Sequence, residues 1–420
     1  MRVDSTLPLM VKGYPWLSEL RRRQGGGPVR TRLLGRPALV LRGPGMVGFF
    51  YDERHARRSG ALPGPVLDTL FGRGAVHTLD GPAHRARKAL FLAQLTDPAR
   101  VGELTARVSA EFRETFGRLR GSEVTLFDEG ALVLARAVAD WVGLPGHGAA
   151  ETERLARDCV AMVDGFATPG PRHFRARRAR ARQEALLSRA VARAREAGTK
   201  PAGEGAPAGR RGRGGPARTP FEAVVAHREA DGTPLDPRTA AVELLNIVRP
   251  TVAITWFATF AAHAMRDAPK LRRRLADDDP AGLALSFAHE VRRFYPFVPF
   301  VGALAPDDLV VAGEAVPRDT MLLLDVYGQN HDPALWDEPF RFVPDRFLGA
   351  DPRPDTLIPQ GGGPREGHRC PGEDITIAVL SALSRELARL DFAVPAQDLR
   401  IPLHRIPTRP RDGFRLEVPR

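Results

Sequence analysis

The sequence predicts a mainly α-helical protein with small β-sheets, built as one large domain over residues 1–420. Apolar residues recur at three- and four-residue spacing through most of the chain, which is helical periodicity. Strand-like stretches are few and short. No internal repeat is present, and the segments read as one domain although length alone would allow two or three.

TRLLGRPALVLRG (31–43) reads as two short strands around a Gly-Arg-Pro turn. Helical patterns follow at 83–95, 98–120, 129–143 and 152–167. The stretch GTKPAGEGAPAGRRGRGGPART (198–219) holds Gly, Pro, Ala and Arg with almost nothing to bury, so a disordered surface loop is expected. It lacks the interleaved aromatics on which bases stack, so no nucleic-acid partner is expected. A long apolar helix spans 239–265, and another helix spans 284–297. DLVVAGEAV (308–316) and TMLLLDVYG (320–328) are strand-like, and ITIAVLSALSRELARL (375–390) is the last helix.

Hydrophobic residues make up 43% and charged residues 27%, as in ordinary globular proteins. The net charge is +12, and nearly every cation is arginine; the lysines are Lys12, Lys88, Lys200 and Lys270. A basic balance suits nucleic acid or an anionic surface. A genome rich in arginine codons produces the same balance. No apolar run approaches the roughly 18 residues of a spanning helix, so no membrane span is expected. The N-terminus lacks a basic head followed by an apolar stretch, so no secretory signal is expected. Cys159 and Cys370 are too few and too far apart for a disulfide framework. A reducing, cytoplasmic location is expected.

Cys370 sits in PQGGGPREGHRCPGED (359–374). Gly361, Gly362, Gly363 and Gly367 let the backbone approach something bulky. Pro371 suits the first position of a helix. A thiol just before a helix N-terminus meets free N–H groups and the positive end of the macrodipole, which lower its pKa. No other Cys or His stands at zinc spacing. Two roles remain: a catalytic nucleophile or an axial haem ligand. His368 lies two residues away, but no further triad follows.

Glu290 and Arg293 stand three apart on one helix face and can pair. Downstream, FRFVPDRF (340–347) offers Arg341 and Arg346 to lock onto that pair. A Glu-x-x-Arg helix, a Pro-Asp-Arg-Phe meander and a glycine-rich loop ending Cys-Pro-Gly, in that order, resemble the cytochrome P450 family. The resemblance runs over nearly the whole chain. It implies that Cys370 is the proximal thiolate to the iron of haem b (iron protoporphyrin IX). It also implies that His84 and His368 face the haem propionates. Lys88, with Arg87 beside it, stands where the family often carries an arginine for the same purpose. The loop departs from the family pattern, with Gly363 in place of the usual phenylalanine.

VELLNIVRPTVAITWF (242–257) places Arg249 in the middle of the most apolar helix. Burying an unpaired charge costs at least several kcal/mol, so Arg249 requires an anion. That anion is either an acidic side chain of the chain or a substrate carboxylate gripped in a bidentate fork. Pro250 removes one backbone donor and opens the helix near the Asn246 carbonyl. Ordinary monooxygenases of this fold carry an acid–alcohol pair here. Arg249-Pro250 instead resembles the fatty-acid peroxygenase branch of the cytochromes P450, as do EVRRFYPFVPF and GHRCPGE. That resemblance implies a fatty-acid carboxylate anchored by Arg249, with Arg249 and Pro250 catalytic and the carboxylate acting as acid–base toward hydrogen peroxide.

LFGRGAVHTLDGPAHRARKALF (70–91) resembles the same branch. His77 falls at its distal position, where histidine is associated with alkene-forming members and glutamine with hydroxylases. The resemblance implies that His77 handles a proton near the oxidant, with Phe71 packing it and the alkyl chain. A turn histidine satisfied by backbone is the plainer account of His77. The expected activity is peroxide-dependent oxidation of long-chain fatty acids at Cα and Cβ, by decarboxylation to terminal alkenes, by hydroxylation, or both. A redox partner is possible but not required. A conventional redox-partner-dependent monooxygenase is the alternative, but Glu243 lies too early for its acid and no carboxylate directly precedes Thr251 or Thr255. A haem-thiolate sensor without turnover is a second alternative.

Overall fold

The computed structural model describes residues 4–166, 168–199, 219–277 and 282–420. Most of the expected loop at 198–219 therefore lies outside the described residues. Helix dominates, and several helices start where local chemistry caps them. Asp97 and Asp236 each accept backbone N–H bonds at the start of Pro98–Arg118 and Pro237–Val252. Thr219 and Glu222 form a capping box at Pro220–Ala226. Leu126–Val142 ends on Gly143 in the left-handed conformation (φ 76°, ψ 39°).

The helix expected at 239–265 is two helices, Pro237–Val252 and Ile254–Met265, meeting at Ala253. The turn follows Pro250 by three residues, whereas the donor that proline removes faces the Asn246 carbonyl; the helix runs unbroken through that point, contrary to expectation. This segment is long and apolar enough to cross a membrane, which corrects the expectation that no stretch is. Its most apolar window is 94% buried inside the protein, so it serves as core. Trp256, fully buried, meets Phe127 edge to face at 4.6 Å between ring centroids.

The largest sheet orders Val29–Leu33, Arg36–Leu41, Met321–Leu324 and Val301–Leu304. Only the pairing of Arg36–Leu41 with Met321–Leu324 is parallel. The first two strands turn at Leu34-Gly35 (φ 51° and 75°) rather than at Gly-Arg-Pro. DLVVAGEAV forms a small hairpin, Leu309–Val311 with Glu314–Val316. A 29-residue helix, Pro171–Thr199, packs against Pro237–Val252.

Glu290 binds Arg293 through two bonds, 2.7 and 2.8 Å, with both residues fully buried. Arg346 Nε adds a third at 3.1 Å. Arg341 was expected to join this lock, and its side chain does not: it reaches back to the exposed Glu338, and only its carbonyl accepts from Arg293. An exposed arginine that turns outward is hydrated at little cost, whereas Arg346 is drawn in by the buried carboxylate.

Candidate active site

A cavity of about 1120 Å³ is lined by Cys370, His368, His84, Lys88, His77, Phe71, Arg249 and Pro250. The fold thus gathers all the expected haem and substrate residues around one largely apolar space. Phe91, Ile247 and Phe297 contribute to its walls.

Cys370 is half-buried, three residues ahead of the helix Glu373–Leu390. Pro371 therefore precedes the N-cap Gly372 instead of opening the helix. Gln360 holds the loop: its carbonyl accepts from Cys370 N at 3.3 Å, and its amide lies 3.8 Å from Sγ and 3.0 Å from Thr376 Oγ1. Glu373, gripped by Arg292 and Arg369, anchors the helix start. Burial and then Glu373 push the Cys370 thiol up, against the pull of the Gly372 N–H, Lys88 and Arg292. The helix end alone therefore does not lower the thiol's pKa, contrary to expectation.

Gly361 (φ 89°) and Gly363 (φ 75°) need the absence of a side chain. A Cβ at Gly363 would stand 2.6 Å from Tyr51 Cβ and Cγ. The bulky group these glycines accommodate is thus the Tyr51 ring.

His84 and His368 stack with ring centroids 3.8 Å apart. Burial pushes His84 down to about 4 and His368 to about 2, and neighbouring cations add to both shifts. Burial also pushes Lys88 down to about 8, though Cys370 and Glu366 pull the other way. His84 Nδ1 and His368 Nε2 are buried without a hydrogen-bond partner. Such a cluster, with Lys88 whose Nζ donates to the Arg369 carbonyl, would suit the propionates of haem. Arg87 does not share this duty. It turns away to Glu243 (2.7 Å), Glu229 and the Gly74 carbonyl, so of the two neighbours only Lys88 lines the cavity.

Arg249 is buried. Among the described residues it has no ion-pair partner. Its Nη2 donates to Asn246 Oδ1 at 3.3 Å, its Nε has no acceptor, and its Cζ lies 5.8 Å from the Phe71 ring centroid. Burial, then Arg180, push its pKa down to about 9, so it remains a cation at neutral pH. The expected alternative of an internal ion pair is not seen.

His77 occupies the turn Val76–Thr78, its ring 4.4 Å from that of Phe71. Its Nδ1 is buried without a partner, so backbone does not satisfy it there. Burial, then Arg249, Lys88 and Arg180, push it down to about 3, which makes it a neutral imidazole. Gly72 (φ 86°) leaves room for Arg180, whose guanidinium holds the Leu70 and Phe71 carbonyls at 2.6 and 2.9 Å.

Sequence reasoning missed Asn246, Arg180 and Gln360. It set Glu243 aside because it stands too early for a proton-delivering acid. Glu243 is fully buried and accepts from Val76 N (2.7 Å), Arg87 Nη1 (2.7 Å) and Asn246 Nδ2 (3.1 Å). The signal for Asn246 was its place one turn before a stranded arginine.

A family profile described as Cytochrome P450 matches residues 284–414. Cytochrome P450 4e5, mitochondrial, of Drosophila mettleri is 33% identical over 112 residues, covering 27% of this chain and 21% of that protein. Cytochrome P450 1A2 of Cavia porcellus is 29% identical over 187 residues, 38% of this chain and 36% of that one. The chain thus matches about a fifth to a third of the length of these relatives. Solved structures match throughout. Ligand-free cytochrome P450 OleT superposes with a TM-score of 0.91 at 32% identity, covering 99% of this chain and 97% of that one. Cytochrome P450SP alpha in complex with (R)-ibuprophen gives a TM-score of 0.89 at 37% identity, covering 99% and 98%. A variant of OleT in complex with arachidonic acid gives 0.91 at 32%, covering 99% and 96%. Sequence and fold agree end to end at that level, so this chain belongs to the cytochrome P450 family, and its cofactor is haem.

Proposed function

We propose that this chain is a haem-thiolate oxidoreductase that uses hydrogen peroxide to oxidise long-chain fatty acids at Cα and Cβ. Its products are terminal alkenes, by oxidative decarboxylation, and α- or β-hydroxy acids. The observation that carries the reading is Arg249: a buried cation on the cavity wall with no carboxylate beside it among the described residues. The ligands bound in OleT and P450SP alpha, arachidonic acid and (R)-ibuprophen, are both carboxylic acids, which supports an acid as the guest.

Haem, held through Cys370, supplies the oxidising power. Arg249 binds the substrate carboxylate in the cavity that His77 and Pro250 also line. The carboxylate takes and returns a proton in place of the acid–alcohol pair that the helix lacks. Neutral His77 offers one nitrogen as acceptor and the other as donor. Phe71 packs both Arg249 and His77. The balance closes: a fatty acid plus hydrogen peroxide gives a hydroxy acid and water, or an alkene, carbon dioxide and two waters. Peroxide as sole oxidant makes a redox partner unnecessary. The two free cysteines suit a cytoplasmic setting.

The test is incubation of pure protein with myristic acid and hydrogen peroxide, followed by gas chromatography. Tridecene and hydroxymyristic acids are the expected products. Silence under peroxide, with turnover when ferredoxin and its reductase are added, would replace this reading by a redox-partner-dependent monooxygenase.

A further inference from the structure

Glu243 is a fully buried carboxylate on the helix of Arg249, six residues before it. Asn246 lies between them: its amide nitrogen donates to Glu243 Oε2 (3.1 Å) and to the Phe71 carbonyl (3.0 Å). With both donors committed, its oxygen is turned toward Arg249 Nη2. Glu243 Oε1 accepts from Val76 N and from Arg87 Nη1, both at 2.7 Å. Val76 opens the turn that carries His77. Arg87 also holds the Gly74 carbonyl and Glu229.

A buried carboxylate needs a cation, and Arg87 supplies it at 2.7 Å. Without Arg87, burial would leave Glu243 to take up a proton or to draw through Asn246 on Arg249, and either change would loosen the Asn246 oxygen from its place beside that guanidinium. We propose that Arg87 and Glu243 form a positioning pair that keeps Arg249 open for the substrate carboxylate and fixes the Asn246 amide and the His77 turn. The pair touches no substrate; it acts through Arg249, Asn246 and Val76. This inference rests on the reading that the substrate carboxylate binds Arg249.

The test titrates haem-loaded protein with myristate and, separately, with imidazole, a neutral iron ligand that does not use Arg249. Arg87→Met leaves Glu243 without its counter-ion. Its myristate affinity should fall about tenfold while imidazole binding stays within about twofold. Arg87→Met with Glu243→Gln puts a neutral acceptor oxygen, which needs no counter-ion, in place of the carboxylate and should recover most of that loss. Myristate and imidazole weakening together, or a double variant no better than the single, would overturn the proposal, since a merely structural pair gives that pattern. Should Arg87→Met fail to retain haem, Glu243→Leu, which leaves Asn246 and Val76 N without this acceptor, carries the test. It should weaken myristate about threefold or more with imidazole unchanged; unchanged myristate binding would overturn the proposal. Arg249→Ala separates the two readings. If it binds myristate like wild type, the carboxylate site itself is wrong; if it alone loses myristate, only the positioning pair is wrong.

Discussion

The imidazoles of His84 and His368 stack on one another at 3.8 Å, 22° from parallel, though one sits on the helix Gly81–Leu95 and the other in the cysteine loop. Each carries a buried nitrogen with no hydrogen-bond partner among the described residues, and His368 Nε2 lies 3.8 Å from Asp80 Oδ1. The contact joins two distant segments of the chain.

His84→Phe keeps the stacked ring and removes both nitrogens. Haem affinity should fall about tenfold, the scale of one charge-assisted hydrogen bond. Haem transfer to an apo-globin acceptor measures it. Transfer at the wild-type rate would remove His84 from the cofactor site.

Arg249→Ala should keep its haem and lose myristate affinity by about a hundredfold, the scale of a truncated buried charge pair. Arg249→Lys should fall between, because a point charge does not match both carboxylate oxygens. The Soret shift on titration reads both variants. Arg249→Ala binding as tightly as wild type would place the carboxylate elsewhere.

Glu290→Ala strands Arg293 in the core and should cost about 3–5 kcal/mol, read as a lower urea midpoint. Arg341→Ala should stay within about 0.5 kcal/mol, because its exposed partner Glu338 gives it little. Equal losses at the two positions would refute the distinction drawn between Arg341 and Arg346.

His263, His289 and His331 are each pushed down to about 4, with burial the largest cause. Between pH 6.5 and 4 the unfolded chain binds protons at these sites that the folded chain does not. Stability should therefore be full above about pH 6.5, decline as pH falls toward 4, and level off below it for these groups. His331→Gln should flatten part of that slope in urea titrations run across this range. An unchanged slope would assign the acid loss to other groups.

The sequence announced its site through residues that break local rules. Cys370 among glycines, Glu290 and Arg293 in an apolar helix, and Arg249 beside Pro250 each stand out against neighbours that would otherwise be plain core. What stayed hidden depends on distance in space. Glu243 meets Arg87 across 156 positions, and nothing local marks either as a partner. Arg341 and Arg346 share one meander, so only the folded path shows which turns inward. The helix Pro171–Thr199 went unread because its buried stripe is made of small and scattered residues, Ala176, Ala179, Leu187 and Val191, among exposed arginines. The thiol pKa was misjudged because burial, invisible in a one-dimensional pattern, outweighs a helix end three residues away.

Tyr51 occupies the volume that a side chain at position 363 would claim, and it also faces the cavity. The two positions are therefore coupled. Installing the phenylalanine common elsewhere in the family at 363 demands that residue 51 shrink in the same step. The aromatic ring beside the cysteine loop is thus supplied here by the helix Pro44–Tyr51, and swapping loops between relatives without also exchanging that ring will produce a collision.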